Sequence, residues 1–179
     1  MRFEATHQFQ GTIDEVEKSF LDARYLDFVI KHHGVLLEAQ MLESKTEGAL
    51  VKRRVRYRPK PVIESIGGNK IPPEWFAFVE ESTWDPARHE LVFKNTPTSP
   101  QIASMLINTG TLRFRDVGGR CERRMEGEIS IKVPFFLKPL ALIAEAVIHK
   151  EGLKILDAEV KVMDRFLGEV LRGTPPAQP

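Results

Sequence analysis

The chain has 179 residues, 42% of them hydrophobic and 28% charged, and a formal net charge of +1. That balance suits one globular domain with a sizeable core and supplies no bulk field that would draw nucleic acid. The one cysteine, Cys121, excludes an internal disulfide and a cysteine-based metal centre.

The opening residues alternate Phe3, Ala5, His7 and Phe9 against Arg2, Glu4, Thr6 and Gln8, the pattern of a half-buried strand rather than the apolar core of a signal peptide. No later stretch reaches the ~20 apolar residues of a membrane span, so a cytoplasmic protein is expected. Gly11 ends the strand, and Thr12 with Glu15 has the form of a capping box, starting a short helix through Leu21. Asp22 caps a second helix from Ala23 to His32, which Gly34 ends.

Strands are then expected at Val35–Lys45 and Ala49–Arg58, turning near Glu47-Gly48. Residues 59–74 hold four prolines and two glycines and read as a long loop or flap. Trp75–Trp84 and His89–Thr96 form the next hairpin, through Asp85-Pro86-Ala87-Arg88. After a loop at Pro97–Pro100, strands Ile102–Asp116 and Arg120–Val133 turn at Gly118-Gly119. From Pro139 to Arg172, apolar residues recur at three- and four-residue steps, predicting one amphipathic helix of ~50 Å with Gly152 as a weak point. The order describes an α+β fold: a curved antiparallel sheet of about seven strands wrapped around a long C-terminal helix, with two short helices after the first strand. Residues 1–172 form a single domain and 173–179 a frayed tail.

Such a sheet and helix can enclose a space for an apolar guest. The inward positions expected to line it are His7, Val51, Arg53, Val55, Tyr57, Trp75, Val79, Glu81, Asn108 and Met125, with Ile148, Ile155 and Met163 from the helix. Arg53, in phase with Val51 and Val55, needs a partner. It either pairs with Glu81 on the next strand or holds an anionic head group. His7 is a hydrogen-bonded core histidine or a general base. On the opposite strand face, Lys52, Arg54, Arg56 and Arg58 form a basic ridge, either simply solvated or docking to an anionic membrane surface. In the long loop, Ile66 and Ile71 either plug one end of the core or enter a bilayer interface. No metal-ligand spacing, catalytic triad or phosphate loop is present, and no cofactor is implied.

Element order and length resemble the START-like (SRPBCC, helix-grip) superfamily. Within it, the layout from Val16 to Phe166 is similar to PRELI-type phospholipid-transfer domains, through Lys52-Arg53-Arg54, Glu81-Ser82-Thr83-Trp84-Asp85-Pro86 and Gly152-Leu153 with Met163. A bacterial family of unknown function in the same superfamily is similar too. The resemblance implies binding or transport of a lipid or other hydrophobic small molecule between sheet and helix. Two alternatives stand beside it: a cyclase- or aromatase-like enzyme using His7, Arg53, Glu81 and Asn108, and a structural module with a filled core.

Overall fold

The computed structural model describes residues 1–61, 65–66, 69–70, 72–133, 135 and 138–173; the side chains at 65–66, 69–70, 139–140 and 143 lie outside the description. Its elements run β1 (Arg2–Gln8), α1 (Ile13–Leu21), α2 (Ala23–His32), β2 (Leu36–Glu47) and β3 (Leu50–Pro59). Then come a two-residue pair, β4 (Ser65–Ile66) and β5 (Asn69–Lys70), followed by β6 (Phe78–Asp85), β7 (Glu90–Pro97) and α3 (Pro100–Ala103). Strands β8 (Leu106–Val117) and β9 (Arg120–Ile131) precede the long helix α4 (Lys138–Phe166), which ends in a wide π turn at Leu167–Leu171.

Seven strands form one antiparallel sheet in the order β1-β9-β8-β7-β6-β3-β2. The result is the helix-grip arrangement expected, a meander closed by the first strand and gripping α4. The turns are built by the residues that signalled them. Gly48, Gly118 and Gly119 take positive φ (61°, 65° and 81°), and the Asp85 carboxylate accepts the Ala87 amide at 3.0 Å. Register shifts between Leu36 and Glu38 and between Met41 and Glu43 bend the β2 edge.

A glycine pair lets two aromatic rings lie close against the sheet. Gly110 and Gly127 lie opposite each other on β8 and β9, with the Phe93 and Phe3 rings across the sites where their Cβ atoms would stand. An added methyl at Gly127 would lie 2.5 Å from Phe3 Cζ and 2.7 Å from the Thr109 carbonyl oxygen. Because one obstacle is backbone, the overlap cannot be relieved by a ring rotation. Gly127→Ala is therefore expected to lower unfolding free energy by about 1–3 kcal/mol in chemical denaturation, whereas an unchanged midpoint would show that the strands separate freely there.

Three elements depart from the sequence reading. The segment Pro73–Phe76 is a 3₁₀ turn, so β6 starts at Phe78 and not at Trp75. Alternation cannot be counted through a turn, and the inward residues of β6 are Phe78, Glu80, Ser82 and Trp84. Ser99-Pro100 begins a one-turn helix, α3, in place of the start of the strand expected from Ile102; Pro at the first helical position is the local signal for it. Helix α4 runs unbroken through Gly152. The tip of the loop, Gly67-Gly68, lies outside the described residues.

One end of the gutter is solid. There α1, α2 and the end of α4 pack Phe9, Val16, Tyr25, Trp84, Phe114, Met163, Phe166 and Leu167 into one cluster, with Phe20 edge-on to Phe9, Tyr25 and Phe114. The capping box is present: Thr12 Oγ1 accepts the Glu15 amide at 3.3 Å, and Glu15 Oε2 accepts the Thr12 amide at 2.9 Å. Arg172, past the π turn, donates to the same carboxylate at 2.8 Å and so ties both chain regions together. Arg172 and the Thr12 amide hold the Glu15 carboxyl down, from an ordinary 4.5 to about 2. The stabilisation is present above pH 4.5 and disappears as pH falls through about 2. Thermal melts between pH 5 and pH 2 should therefore show a smaller acid loss for Glu15→Gln than for the wild type; parallel curves would remove this tie from the acid response.

Candidate functional site

Beyond the packed end, the sheet and α4 separate around a cavity of about 440 Å³, within the range of small-molecule sites. Helix α4 supplies one wall with Ala144, Ile148, Gly152, Ile155 and Leu156, residues three and four apart on a single stripe. No atom of the described residues lies within 4 Å of the position a Cβ would take at Gly152. Trp75, Pro97 and Ile102 line it as well, with Trp75 39% exposed. Glu145 anchors the helix beside the cavity, its Oε1 accepting the Ile131 amide at 2.7 Å.

The sheet floor is polar in one strip. Arg53, Tyr57, Glu80, Asn95 and Asn108 all line the cavity. Arg53 is 8% exposed; its Nη1 donates to the Phe20 carbonyl, and its Nε has no partner among the described residues. Among the described residues no carboxylate forms a salt bridge with it. Asn95 Oδ1 and the Tyr25 hydroxyl are also buried without partners among the described residues. Burial raises the Glu80 carboxyl above its ordinary value, with the Arg53 charge opposing, and burial likewise pushes the Tyr57 phenol up. His33 Nε2 donates to the Ile155 carbonyl at 3.1 Å, fixing α2 to α4, while its Nδ1 has no partner among the described residues.

Where cavity meets core stands a second polar group. Arg123, 1% exposed, donates to Glu159 Oε2 at 2.5 Å and lies over the Phe9 ring at 5.1 Å. His7 Nδ1 is 3.4 Å from Arg123 Nη2, and its Nε2 is 3.4 Å from the exposed Asp157. Burial first, then the Arg123 charge, lowers the His7 imidazole below its ordinary value. Burial pushes the Cys121 thiol up to about 12, as befits a packed residue rather than a nucleophile.

Of the inward positions picked from sequence, Arg53, Tyr57, Trp75, Asn108, Met125, Ile148 and Ile155 line the cavity. His7 stands behind Arg123, Val51 packs against the core, Val55 is fully buried, and Met163 sits inside the filled end. Val79 and Glu81 fall on the outer face, because the inward phase of β6 is one residue later than expected. Glu81 is therefore no partner for Arg53; it lies 3.4 Å from Arg54 on the outside, and Ser82 faces Arg53 instead. The carboxylate that β6 gives the cavity is Glu80, which the buried Trp84 four residues on would have placed inward by parity. Thus His7, Arg53, Glu81 and Asn108 do not converge.

The basic ridge lies on the outer face, where each member has a carboxylate within 4 Å. Lys52 meets Glu47, Arg54 meets Glu43 and Glu81, and Arg56 and Arg58 share Glu38. The Ile66 side chain and Ile71 lie outside the described residues. Among the described residues, no three His, Cys, Asp or Glu are grouped to hold a metal ion, and no helix is long and apolar enough to cross a membrane.

Solved structures with this fold include the Zhui aromatase/cyclase from Streptomyces sp. R1128 (15% identity, 93% of this chain and 95% of that one, TM-score 0.64). The protein TTHA0849 from Thermus thermophilus is similar as well (15% identity, 91% and 97%, TM-score 0.62). So is the 18 kDa protein CC1736 from Caulobacter crescentus (12% identity, 97% and 99%, TM-score 0.53). At such identities the likeness is one of fold. No curated protein matches the chain in sequence. A family model described as protein of unknown function (DUF2505) matches residues 4–167.

Proposed function

The chain belongs to that DUF2505 family, and we propose that it binds or carries a mostly apolar small molecule between the sheet and α4, with the guest's polar end toward Arg53 and Glu80. One observation carries the reading: a cavity of about 440 Å³ adjoins a packed core, and its lining includes Arg53, Tyr25 and Asn95, residues that each hold a buried polar atom without a partner among the described residues. Large side chains fill one end of the gutter, so the hollow at the other end is not a failure of packing. Buried donors and acceptors left unpaired are costly, and a guest that answers them recovers that cost. Docking to an anionic bilayer through the basic ridge is not part of this reading, because acidic neighbours offset its charge.

Native mass spectrometry after gentle purification tests it. A co-purified small molecule is expected, or, for an empty protein, saturable uptake of an apolar environment-sensitive dye. A bare chain that takes up no dye would overturn the reading.

A second reading, catalysis of a cyclase or aromatase kind, rests on Glu80. A carboxyl raised by burial beside a tyrosine and an arginine in one cavity is suited to proton transfer, and the fold likeness to an aromatase/cyclase adds support. The extracted guest should then change mass on incubation with the wild type and not with Glu80→Gln. Recovery of the same molecule unchanged from both would favour a carrier.

A further inference from the structure

The polar strip on the cavity floor has a regular geometry. Glu80 on β6 faces Asn95 on β7 in register, and Asn95 faces Asn108 on β8. Adjacent strands lie ~4.8 Å apart, so the row spans about 10 Å. Arg53 on β3 stands diagonal to Glu80, opposite Ser82. Across the gap, α4 presents the apolar Ile148, Gly152, Leu153, Ile155 and Leu156, together with His149, Glu151 and Glu159. The cavity therefore sets a continuous hydrogen-bonding row on the sheet against a helix wall that is mostly apolar.

Resting on the cavity-binding reading above, we propose that the preferred guest is a multiply oxygenated lipophile in preference to a single-headed acyl lipid. It is a ring-based molecule with carbonyl or hydroxyl groups along one edge and an apolar opposite face. Each asparagine amide both donates and accepts, so carbonyls and hydroxyls both serve. A fatty acid has one polar end. Placed on Arg53, it leaves Asn95 and Asn108 against hydrocarbon; placed on the asparagines, it leaves Arg53 unanswered. Asn95 and Arg53 line the cavity, and Asn95 Oδ1 and Arg53 Nε have no partner among the described residues, so a guest that does not match these side chains leaves them unsatisfied. A site built to hydrogen-bond its ligand rejects analogues lacking the matching groups far more strongly than a greasy pocket rejects a missing methylene. A rigid ring skeleton also holds its oxygens at fixed spacing without the ordering cost of a flexible chain. A Glu80 carboxyl raised by burial adds a donor whenever it is protonated.

Binding of three probes to the wild-type protein tests the proposal by titration calorimetry: quercetin, the oxygen-poor flavone of the same skeleton, and palmitate. Quercetin is expected to bind at least tenfold more tightly than either of the others. The paired change Asn95→Leu and Asn108→Leu should cost quercetin at least tenfold while palmitate is unaffected or improved. The wild-type comparison stands even if that variant fails to fold. Flavone or palmitate binding as tightly as quercetin, with Gly152→Leu abolishing it, overturns this inference and leaves the cavity reading intact. Failure of all three probes to bind overturns both.

Discussion

Gly152→Leu is expected to abolish guest binding while making the protein more stable. Glycine inside a helix costs about 1 kcal/mol relative to alanine, and leucine is nearly as good a helix former as alanine. Substitutions of buried glycine usually fail because the new side chain collides with something. Here no atom of the described residues stands within 4 Å of the new Cβ, and the residue lines the cavity. The leucine side chain then enters a space otherwise left to the guest. For a chain of this size a gain of about 1 kcal/mol corresponds to a melting temperature roughly 2–4 °C higher. Occlusion should weaken dye or ligand binding by at least a hundredfold. Stability and binding are read in separate experiments, so loss of affinity cannot be a disguised loss of fold. Unimpaired binding in a stabilised Gly152→Leu protein would place the guest elsewhere and remove the cavity from the argument.

The residue that makes this test possible was legible in sequence only as an irregularity. Gly152 interrupts an amphipathic stripe, and interruption suggests a bend. The helix instead stays continuous, and the missing side chain serves the cavity. Much of the fold was plain for local reasons: the capping box at Thr12 and Glu15, the Asp85 turn, the paired glycines at 118 and 119, and the three-to-four periodicity of α4 are contained in short windows. The site was less legible because it depends on strand phase. Counting by twos inward from Trp75 selects Val79 and Glu81, whereas counting back from Trp84 selects Glu80 and Phe78. The two counts disagree because the 3₁₀ turn at Pro73–Phe76 breaks the alternation. Prolines at 72 and 73 were the available warning. Asn95 was missed for a different reason. A lone asparagine in a strand carries no signal until the register sets it between Glu80 and Asn108.

Glu159→Gln is expected to destabilise the protein by about 3–5 kcal/mol, because it leaves the buried Arg123 charge without its counter-charge. Arg123 is 1% exposed and cannot turn to water, and its other neighbours are the Phe9 ring, the Phe114 strand partner and a histidine whose protonation the same charge opposes. The reverse change should cost less. In Arg123→Met the remaining Glu159 side chain is 22% exposed and can be hydrated, while the methionine keeps the stem's contact with Phe9. Replacing both residues by methionine removes the charges together and should recover much of the loss, since an apolar pair of similar volume is often as stable as a buried ion pair. A double-mutant cycle in denaturant resolves these terms, and the coupling should exceed about 1 kcal/mol. The ordering of the singles is the sharp part: Glu159→Gln worse than Arg123→Met. Equal losses with no coupling would mean that the two side chains act independently, and that α4 is held against β9 by its apolar stripe alone.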